Sequence, residues 1–288
     1  MLKYTVNNND NLRLDIFLAN KLPTLSRAFI QKLSKQEKVL VNKVSVKAGY
    51  KLRENDKIEV DYKLSDKNEA PFIDLPVIYE DDNSIVINKP VGILSHGRDA
   101  FNDEATVASF IRNKVNGIEG DRAGLVHRLD RVTSGVMLCA KTTTALTWFQ
   151  RQFASRKVTK TYIAIVAGHL KDEEALIDIP IGRNPKLPSH FRGDSNGKAS
   201  VTHYKVTKTS EHYSMLELTP KTGRTHQLRV HLSHIGHPIV GDEFYEGQKA
   251  DRLYLHALSL EIMMPEGEKK IFNAPLPLMF NELIDNDE

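Results

Sequence analysis

The 288-residue sequence has one cysteine, Cys139, and one tryptophan, Trp148. A single thiol excludes an internal disulfide framework and any Cys-x-x-Cys metal or redox motif. No apolar run is long enough to span a bilayer. The opening residues Met1-Leu2-Lys3-Tyr4-Thr5-Val6-Asn7 hold no apolar h-region, so no secretory signal is expected. Internal repeats, low-complexity segments, a His-Glu-x-x-His helix and a Gly-x-Ser-x-Gly elbow are also absent. What remains is an ordinary globular composition, 40% hydrophobic and 27% charged. The expectation is a cytoplasmic protein with no membrane partner.

Net charge is small, at +3, but unevenly placed. Residues 1–62 carry 12 Lys/Arg against 7 Asp/Glu, a net of +5, and residues 63–288 carry 28 against 30, a net of −2. A basic module on a near-neutral body points to a polyanionic partner, and a plain solvated basic surface explains the charge equally well.

Residues 12–21 space apolar groups as an amphipathic helix that Pro23 ends. Ser26 is a candidate N-cap for a second helix, with Ala28, Phe29, Ile30 and Leu33 inward and Arg27, Lys32, Lys35 and Lys38 on or just beyond the solvent side. Val39-Leu40-Val41 and Asp56–Val60 have strand character. This order, with Arg13-Leu14-Asp15 opening the first helix, Ser26-Arg27 the second and Val39-Leu40-Val41-Asn42 following, resembles the S4 RNA-binding domain. The resemblance makes Arg27, Lys32, Lys35 and Lys38 candidate phosphate contacts, which supply affinity rather than sequence readout. A basic appendage without a partner is the alternative.

The expected division is an S4-like domain over 1–62, a polar linker over 63–76 and a larger domain over 77–288. In the last, Ser84–Asn88 and Lys160–Gly168 are strong strand candidates, and 104–115 and 142–156 helical ones. Residues 170–200 are punctuated by Pro and Gly and read as loops. Strands are expected at 199–208, 213–220, 224–232 and 253–262, the last of these followed by a short acidic tail. Many strands and few helices predict an α+β fold with a mixed, mostly antiparallel sheet.

The chemistry concentrates in three segments. In His127-Arg128-Leu129-Asp130-Arg131-Val132-Thr133-Ser134-Gly135 a single carboxylate, Asp130, sits among cations between two buried runs, so it belongs to a loop on a rigid scaffold. Tyr162 lies on its strand. Gly223-Arg224-Thr225-His226-Gln227-Leu228-Arg229-Val230-His231 is dense in donors. If Arg229 points inward it needs an acid, because an unpaired buried guanidinium is costly, and Asp130 is the natural candidate. An adjacent Arg would keep that carboxylate ionised and fit to act as nucleophile or base. An ordinary structural ion pair would satisfy the same spacing.

Together these segments, with Gly236-His237-Pro238-Ile239 and Gly241-Asp242, look like the RluA-type pseudouridine synthase family over nearly all of 77–288. An S4-like domain is a common companion in members that act on large-subunit ribosomal RNA. The resemblance implies isomerisation of uridine to pseudouridine in RNA, without cofactor or metal. Asp130 matches the catalytic aspartate, Tyr162 the tyrosine that packs on the target base, and Arg229 the basic partner of the aspartate. Arg128 matches the position that displaces or replaces the flipped nucleotide. His127, Arg131, Arg224 and Thr225 are further candidate RNA contacts. Two positions depart from the pattern: Gly92–Arg98 lacks the His-Pro step of many members, and position 132 is Val where an acid is common.

The expected partner is RNA, of the large ribosomal subunit or its assembly precursor, bound by a monomer; tRNA is the alternative substrate. A metal site at His226, His231, His234 and His237 is disfavoured because 226 and 231 would face opposite sides of a strand. A hydrolase built on Ser134, His127 and Asp130 is disfavoured by their closeness in sequence. A non-catalytic RNA-binding protein would have no need of Asp130, Tyr162 and Arg229.

Overall fold

The computed structural model describes residues 1–7, 12–22, 25, 27–62, 73–97, 104–118, 122 and 124–287. The expected N-cap at Ser26, Pro23, most of the expected linker (63–72) and the loop from Arg98 to position 103 lie outside these residues. The chain forms two compact units: Met1–Ile73 with His96–Ser109 and Glu119–Arg122, and Asp74–Ser95 with Phe110–Ile118 and Ala123–Glu288.

The first unit contains β1 (Leu2–Thr5), α1 (Leu14–Lys21), α2 (Arg27–Lys35), β2 (Val39–Val41), β3 (Val44–Ser45) and β4 (Lys57–Val60). Its four strands run β1-β4-β2-β3, each neighbour antiparallel. Leu14, Phe17 and Leu18 of α1 and Phe29, Ile30 and Leu33 of α2 bury against Val39, Val41, Ile58 and Val60. Strand β1 was not expected from sequence; it alternates half-buried and exposed residues and gains its place by pairing with β4. At the helix junction Asp15 is fully buried. Burial alone would raise its pKa, but hydrogen bonds from Arg13, Gln31 and Arg27 reverse this and hold the carboxyl below the usual carboxylate range. Arg27 is therefore tied to Asp15 at 2.9 Å while still half exposed.

Further along the chain come β5 (Val77–Glu80), β6 (Ser84–Lys89), α3 (Val107–Arg112), β7 (Ser134–Ala140), α4 (Thr143–Ala154), β8 (Thr159–Ala167) and β9 (Glu174–Asp178). They are followed by β10 (Ile181–Arg183), β11 (Phe191–Gly193), β12 (Val201–Thr209), β13 (Tyr213–Pro220), α5 (Gln227–His234), β14 (Leu255–Met263), β15 (Lys269–Asn273) and α6 (Leu278–Asp285). The second unit is built on a nine-stranded sheet in the order β5-β6-β7-β14-β8-β13-β12-β9, with β15 also on β14. Every pairing is antiparallel except β7 with β14. That parallel contact is so close that a Cβ at Gly135 would lie 2.2 Å from the Ala257 carbonyl oxygen; Gly135 has φ +117. Only glycine accepts both conditions. The start of β7 is thereby pinned directly behind the loop that carries Asp130. Ile165, Val166, Leu216, Leu218, Leu228, Leu232 and Phe280 form the core on this side of the sheet.

Three sequence expectations are corrected. Residues 170–200 hold the strands β9, β10 and β11 rather than loops alone. After β14 the chain adds β15 and α6, where a short acidic tail was expected; Phe280 and Ile284 bury one face of α6. Most consequentially, 224–232 is not a strand but a turn leading into α5. Leu228, Val230 and Leu232 alternate with Arg229 and His231, which imitates the two-residue period of a strand. The imitation arises because every residue from Gln227 to Leu232 is buried, so no polar face reveals the helical period.

Candidate active site

Asp130 sits on the segment between an isolated bridge, Leu125 with Cys139, and the start of β7. This segment is held through its backbone. Ser95 Oγ donates to the Leu129 carbonyl at 2.7 Å and accepts from the Leu129 N–H at 3.1 Å. The Arg131 carbonyl accepts from the Gly92 N–H at 2.8 Å. Lys89 at the end of β6 is fully buried, and its ammonium donates to the carbonyls of Pro90 and Ile93, both at 2.8 Å, and of Arg131 at 3.4 Å. Burial lowers its pKa to about 7, and the nearby Asp130 opposes the shift. The Lys89–Ser95 loop is thus a brace that fixes the backbone on both sides of Asp130.

Arg229, on α5, is 5% exposed. Its Nε and Nη2 donate to Asp242 Oδ2 and Oδ1, both at 2.7 Å, in a bidentate pair. Its third nitrogen, Nη1, lies 3.6 Å from Asp130 Oδ2. The direct partner is therefore Asp242, and Asp130, the partner expected from sequence, is the second and more distant acid. Burial would lower the pKa of Arg229, but the hydrogen bonds and charge of Asp242, then Asp130, raise it instead. Asp242 follows Gly241, whose φ is +80 and whose Cβ would fall 1.7 Å from the Arg252 carbonyl oxygen. The glycine lets the chain turn tightly enough to aim Asp242 inward. Phe244 and Tyr245 close the site, with the guanidinium carbon 5.3 and 5.0 Å from their ring centres.

His226 precedes α5 in the left-handed region, at φ 56. Its Nδ1 lies 2.8 Å from the Tyr245 hydroxyl, whose oxygen accepts the Phe191 N–H at 3.1 Å. His226 Nε2 is 3.8 Å from Asp130 Oδ2. Burial lowers the His226 pKa, with Asp130 opposing, so the ring is neutral. A non-glycine residue held in this conformation against an acidic side chain has the character of a functional position. Tyr162, half-buried on β8, has its phenol pKa raised, first by burial and then by Asp130. Its ring stays uncharged beside the carboxylate.

Asp130, Tyr162, His226 and Arg229 line a cleft of about 460 Å³. Among the described residues Asp130 is the only acid lining it, against Arg128, Arg156, Lys160, Lys221, Arg224 and Arg229. Arg128 is exposed on its wall and Thr225 on its rim. Arg224 also borders it, its Nε donating to the Ala199 carbonyl at 3.2 Å. Arg131 is exposed and outside the lining. His127 does line the cleft, but its Nε2 accepts the Leu138 N–H at 3.0 Å and its ring stacks on Phe153 at 4.7 Å. Burial lowers its pKa to about 3. The ring is therefore neutral and has no positive charge to offer a phosphate. Arg27, Lys32, Lys35 and Lys38 belong to the other unit and are exposed there.

The rival chemistries find other partners. Ser134 accepts from Arg252 Nη2 at 2.6 Å and donates to His256 Nδ1 at 2.8 Å, both behind β7, and does not meet His127. Because α5 is a helix, the strand argument against a His metal site does not apply. His226 instead engages Tyr245, His231 the Ile179 carbonyl and His237 the Ala167 carbonyl. Sequence reasoning missed Tyr245, Lys89 and Lys160. Asp242 was visible as Gly241-Asp242, and Lys160 as the residue two before Tyr162 on the same strand face, but neither spacing discloses a partner.

A family model described as RNA pseudouridylate synthase matches residues 83–234, and one described as S4 domain matches 12–58. The chain is 35% identical over 306 residues to "Ribosomal large subunit pseudouridine synthase D" of Salmonella typhimurium, covering 99% of this chain and 93% of that protein. It is 34% identical over 287 residues to "Ribosomal large subunit pseudouridine synthase C" of Vibrio cholerae, covering 92% and 89%. Among solved structures, "Human RNA Pseudouridylate Synthase Domain Containing 1" superposes with a TM-score of 0.59 at 30% identity, over 70% of this chain and 83% of that one. With the cleft, its single carboxylate and the mixed sheet already described, these matches establish that the chain belongs to the RNA pseudouridylate synthase family.

Proposed function

We propose that this protein isomerises specific uridines to pseudouridine in large-subunit ribosomal RNA, with Asp130 as the catalytic carboxylate. The observation that carries the reading is one ionisable acid at the base of a cationic cleft, 3.6 Å from a guanidinium that a second, buried acid holds in place. The names of the bacterial relatives and the S4 match support the choice of large-subunit RNA.

In the reaction the N1–C1′ bond breaks, the uracil turns and C5 bonds to C1′; C5 loses its proton and N1 gains one. The target atoms are inaccessible in a stack, so the nucleotide must be flipped out at a cost of a few kcal/mol. Tyr162 offsets part of this by stacking on the base. Arg128, on the cleft wall, takes the place of the flipped nucleotide or holds its phosphate. Arg229 Nη1, 3.6 Å from Asp130 Oδ2, and the His226 ring, 3.8 Å from it, face the carboxylate from α5 and its leading turn. Asp130 then attacks or deprotonates the sugar and stabilises the charge that develops. Residues 1–62 act as the RNA-binding module and 77–288 as the catalytic domain, joined by 63–76, in a cytoplasmic monomer. Exposed Lys32, Lys35 and Lys38 contact phosphates.

The test is pseudouridine mapping of ribosomal and transfer RNA from cells lacking the protein, complemented with the wild type or with Asp130→Asn. The expected result is a large-subunit pseudouridine that disappears, returns with the wild type and does not return with the variant, although the variant still binds the RNA. A restored modification with Asp130→Asn refutes the catalytic assignment, and a lost tRNA modification refutes the substrate.

A further inference from the structure

Lys160 is the second residue of β8, two before Tyr162, and both line the cleft. Two residues of strand place Lys160 about 6.6 Å from Tyr162 along the same face. The side chain is largely buried; its ammonium lies 3.9 Å from where a Cβ on Gly223 would stand. It makes no hydrogen bond and no ion pair among the described residues, not even with Asp130, the only acid in the lining. Its titratable neighbours do not compensate it. His127 beside it is a neutral ring whose pKa the lysine itself helps to lower. Arg156, Lys221 and Arg224 add only further positive charge. Burial lowers the Lys160 pKa with no opposing charge.

A buried cation without a counterion costs stability. Every other internal cation around this site has acceptors: Lys89 has three carbonyls and Arg229 two carboxylates. Lys160 lacks them on the side where RNA would enter. We propose that Lys160 forms a phosphate-binding subsite for the RNA strand, taking the phosphodiester of the flipped uridine or of the nucleotide next to it. A full anion fits better than a base carbonyl, because the group lacks a charge partner and RNA supplies one anion per nucleotide. The span of two strand residues is on the scale of the distance from a base on Tyr162 to its own phosphate. Binding then supplies the missing partner, and the charge left unpaired in the free protein becomes affinity for the bent-out strand. The inference rests on the proposed function for the orientation of the nucleotide, but not for the presence of the subsite.

The test uses the full-length protein and an unmodified transcript of large-subunit ribosomal RNA. Wild type, Lys160→Met and Lys160→Arg are compared by binding across a salt series, by single-turnover isomerisation at saturating enzyme, and by thermal unfolding. One lost phosphate contact lowers the slope of log Kobs against log [salt] by about 0.7–0.9. Lys160→Met is expected to show that loss and an unfolding temperature no lower than wild type, because it removes an unpaired buried charge. Lys160→Arg is expected to recover the slope. An unchanged slope in Lys160→Met overturns the proposal. If the saturated rate also collapses in both variants, the lysine acts on the base or its proton instead. A marked fall in unfolding temperature for Lys160→Met overturns it too, by showing a structural partner. If the wild type leaves the transcript unmodified while the slope change persists, the proposed function fails and the phosphate subsite stands.

Discussion

Arg229 Nε and Nη2 each lie 2.7 Å from an oxygen of Asp242, and Nη1 of the same guanidinium lies 3.6 Å from Asp130 Oδ2. One cation therefore serves two carboxylates with unequal geometry. Asp242 takes the short bidentate contact and fixes the plane of the guanidinium. Asp130 takes the longer one and keeps its oxygens available to substrate. Asp242→Asn is expected to leave Arg229 buried with an incomplete partner set and to destabilise the fold by about 3–5 kcal/mol. It is also expected to lower the isomerisation rate, because the guanidinium is then drawn onto Asp130. Denaturant unfolding and single-turnover assays measure the two effects; a variant that loses neither shows that Asp130 alone orients Arg229.

Tyr162 is expected to act through its ring. Its phenol, raised by burial and by Asp130, stays neutral through the neutral and mildly alkaline range. Tyr162→Phe keeps the stacking face and is expected to stay within a few-fold of wild-type kcat/KM. Tyr162→Ala loses about 1–3 kcal/mol of stacking, or about 5- to 150-fold in kcat/KM. A Phe variant as impaired as the Ala variant would assign the chemistry to the hydroxyl.

His256 gives the second unit a pH dependence. It is fully buried, accepts from Ser134 at Nδ1 and faces the Ala274 carbonyl through Nε2 at 3.4 Å. Burial lowers its pKa from 6.5 to about 4. Between those values the unfolded chain binds the proton and the folded chain does not, so stability rises with pH across the window and is lost on acidification. The full effect is about 3 kcal/mol. Wild type is expected to lose stability between pH 6.5 and 4 more steeply than His256→Asn. Parallel denaturation curves for the two proteins would exclude His256 as a source.

The exposed lysines of the S4 unit are expected to supply sequence-independent affinity. Lys35→Ala with Lys38→Ala should lower the salt slope of RNA binding by about 1.4–1.8, with little change in the rate once RNA is saturating. An unchanged slope would place the RNA on another face. Arg27 is a poorer choice for this test, because its removal also strips a partner from the buried Asp15.

How far residues could be read depended on whether their partners were local. Helices α2 and α4 and strands β6, β8, β12 and β13 follow the sequence patterns closely, since each has one apolar face and one polar face or an uninterrupted apolar run. The helix α5 failed that test because its polar residues are buried by long-range partners: Arg229 by Asp242, 13 residues on, and His231 by the Ile179 carbonyl, 52 residues back. Its pattern was read as a strand for that reason. His127 shows the same limit: its spacing beside Asp130 suggests a cation, whereas the Leu138 N–H and the Phe153 ring hold it as a neutral group on the cleft lining.

The sequence by itself singled out Asp130 as a lone carboxylate among cations, Tyr162 on its strand, the basic N-terminal module and the α+β class. These rest on residue type and on periodicity, which are properties of short segments. Only the tertiary structure decided which groups meet. It assigned Arg229 to Asp242 first and Asp130 second, set His226 Nε2 toward the carboxylate, buried Lys89 as a brace and left Lys160 in the cleft without a counterion among the described residues. Charge pairing in a low-dielectric interior depends on distances of a few ångströms between segments far apart in the chain. No local pattern encodes those distances; the packing of α5 and the two loops around one sheet sets them.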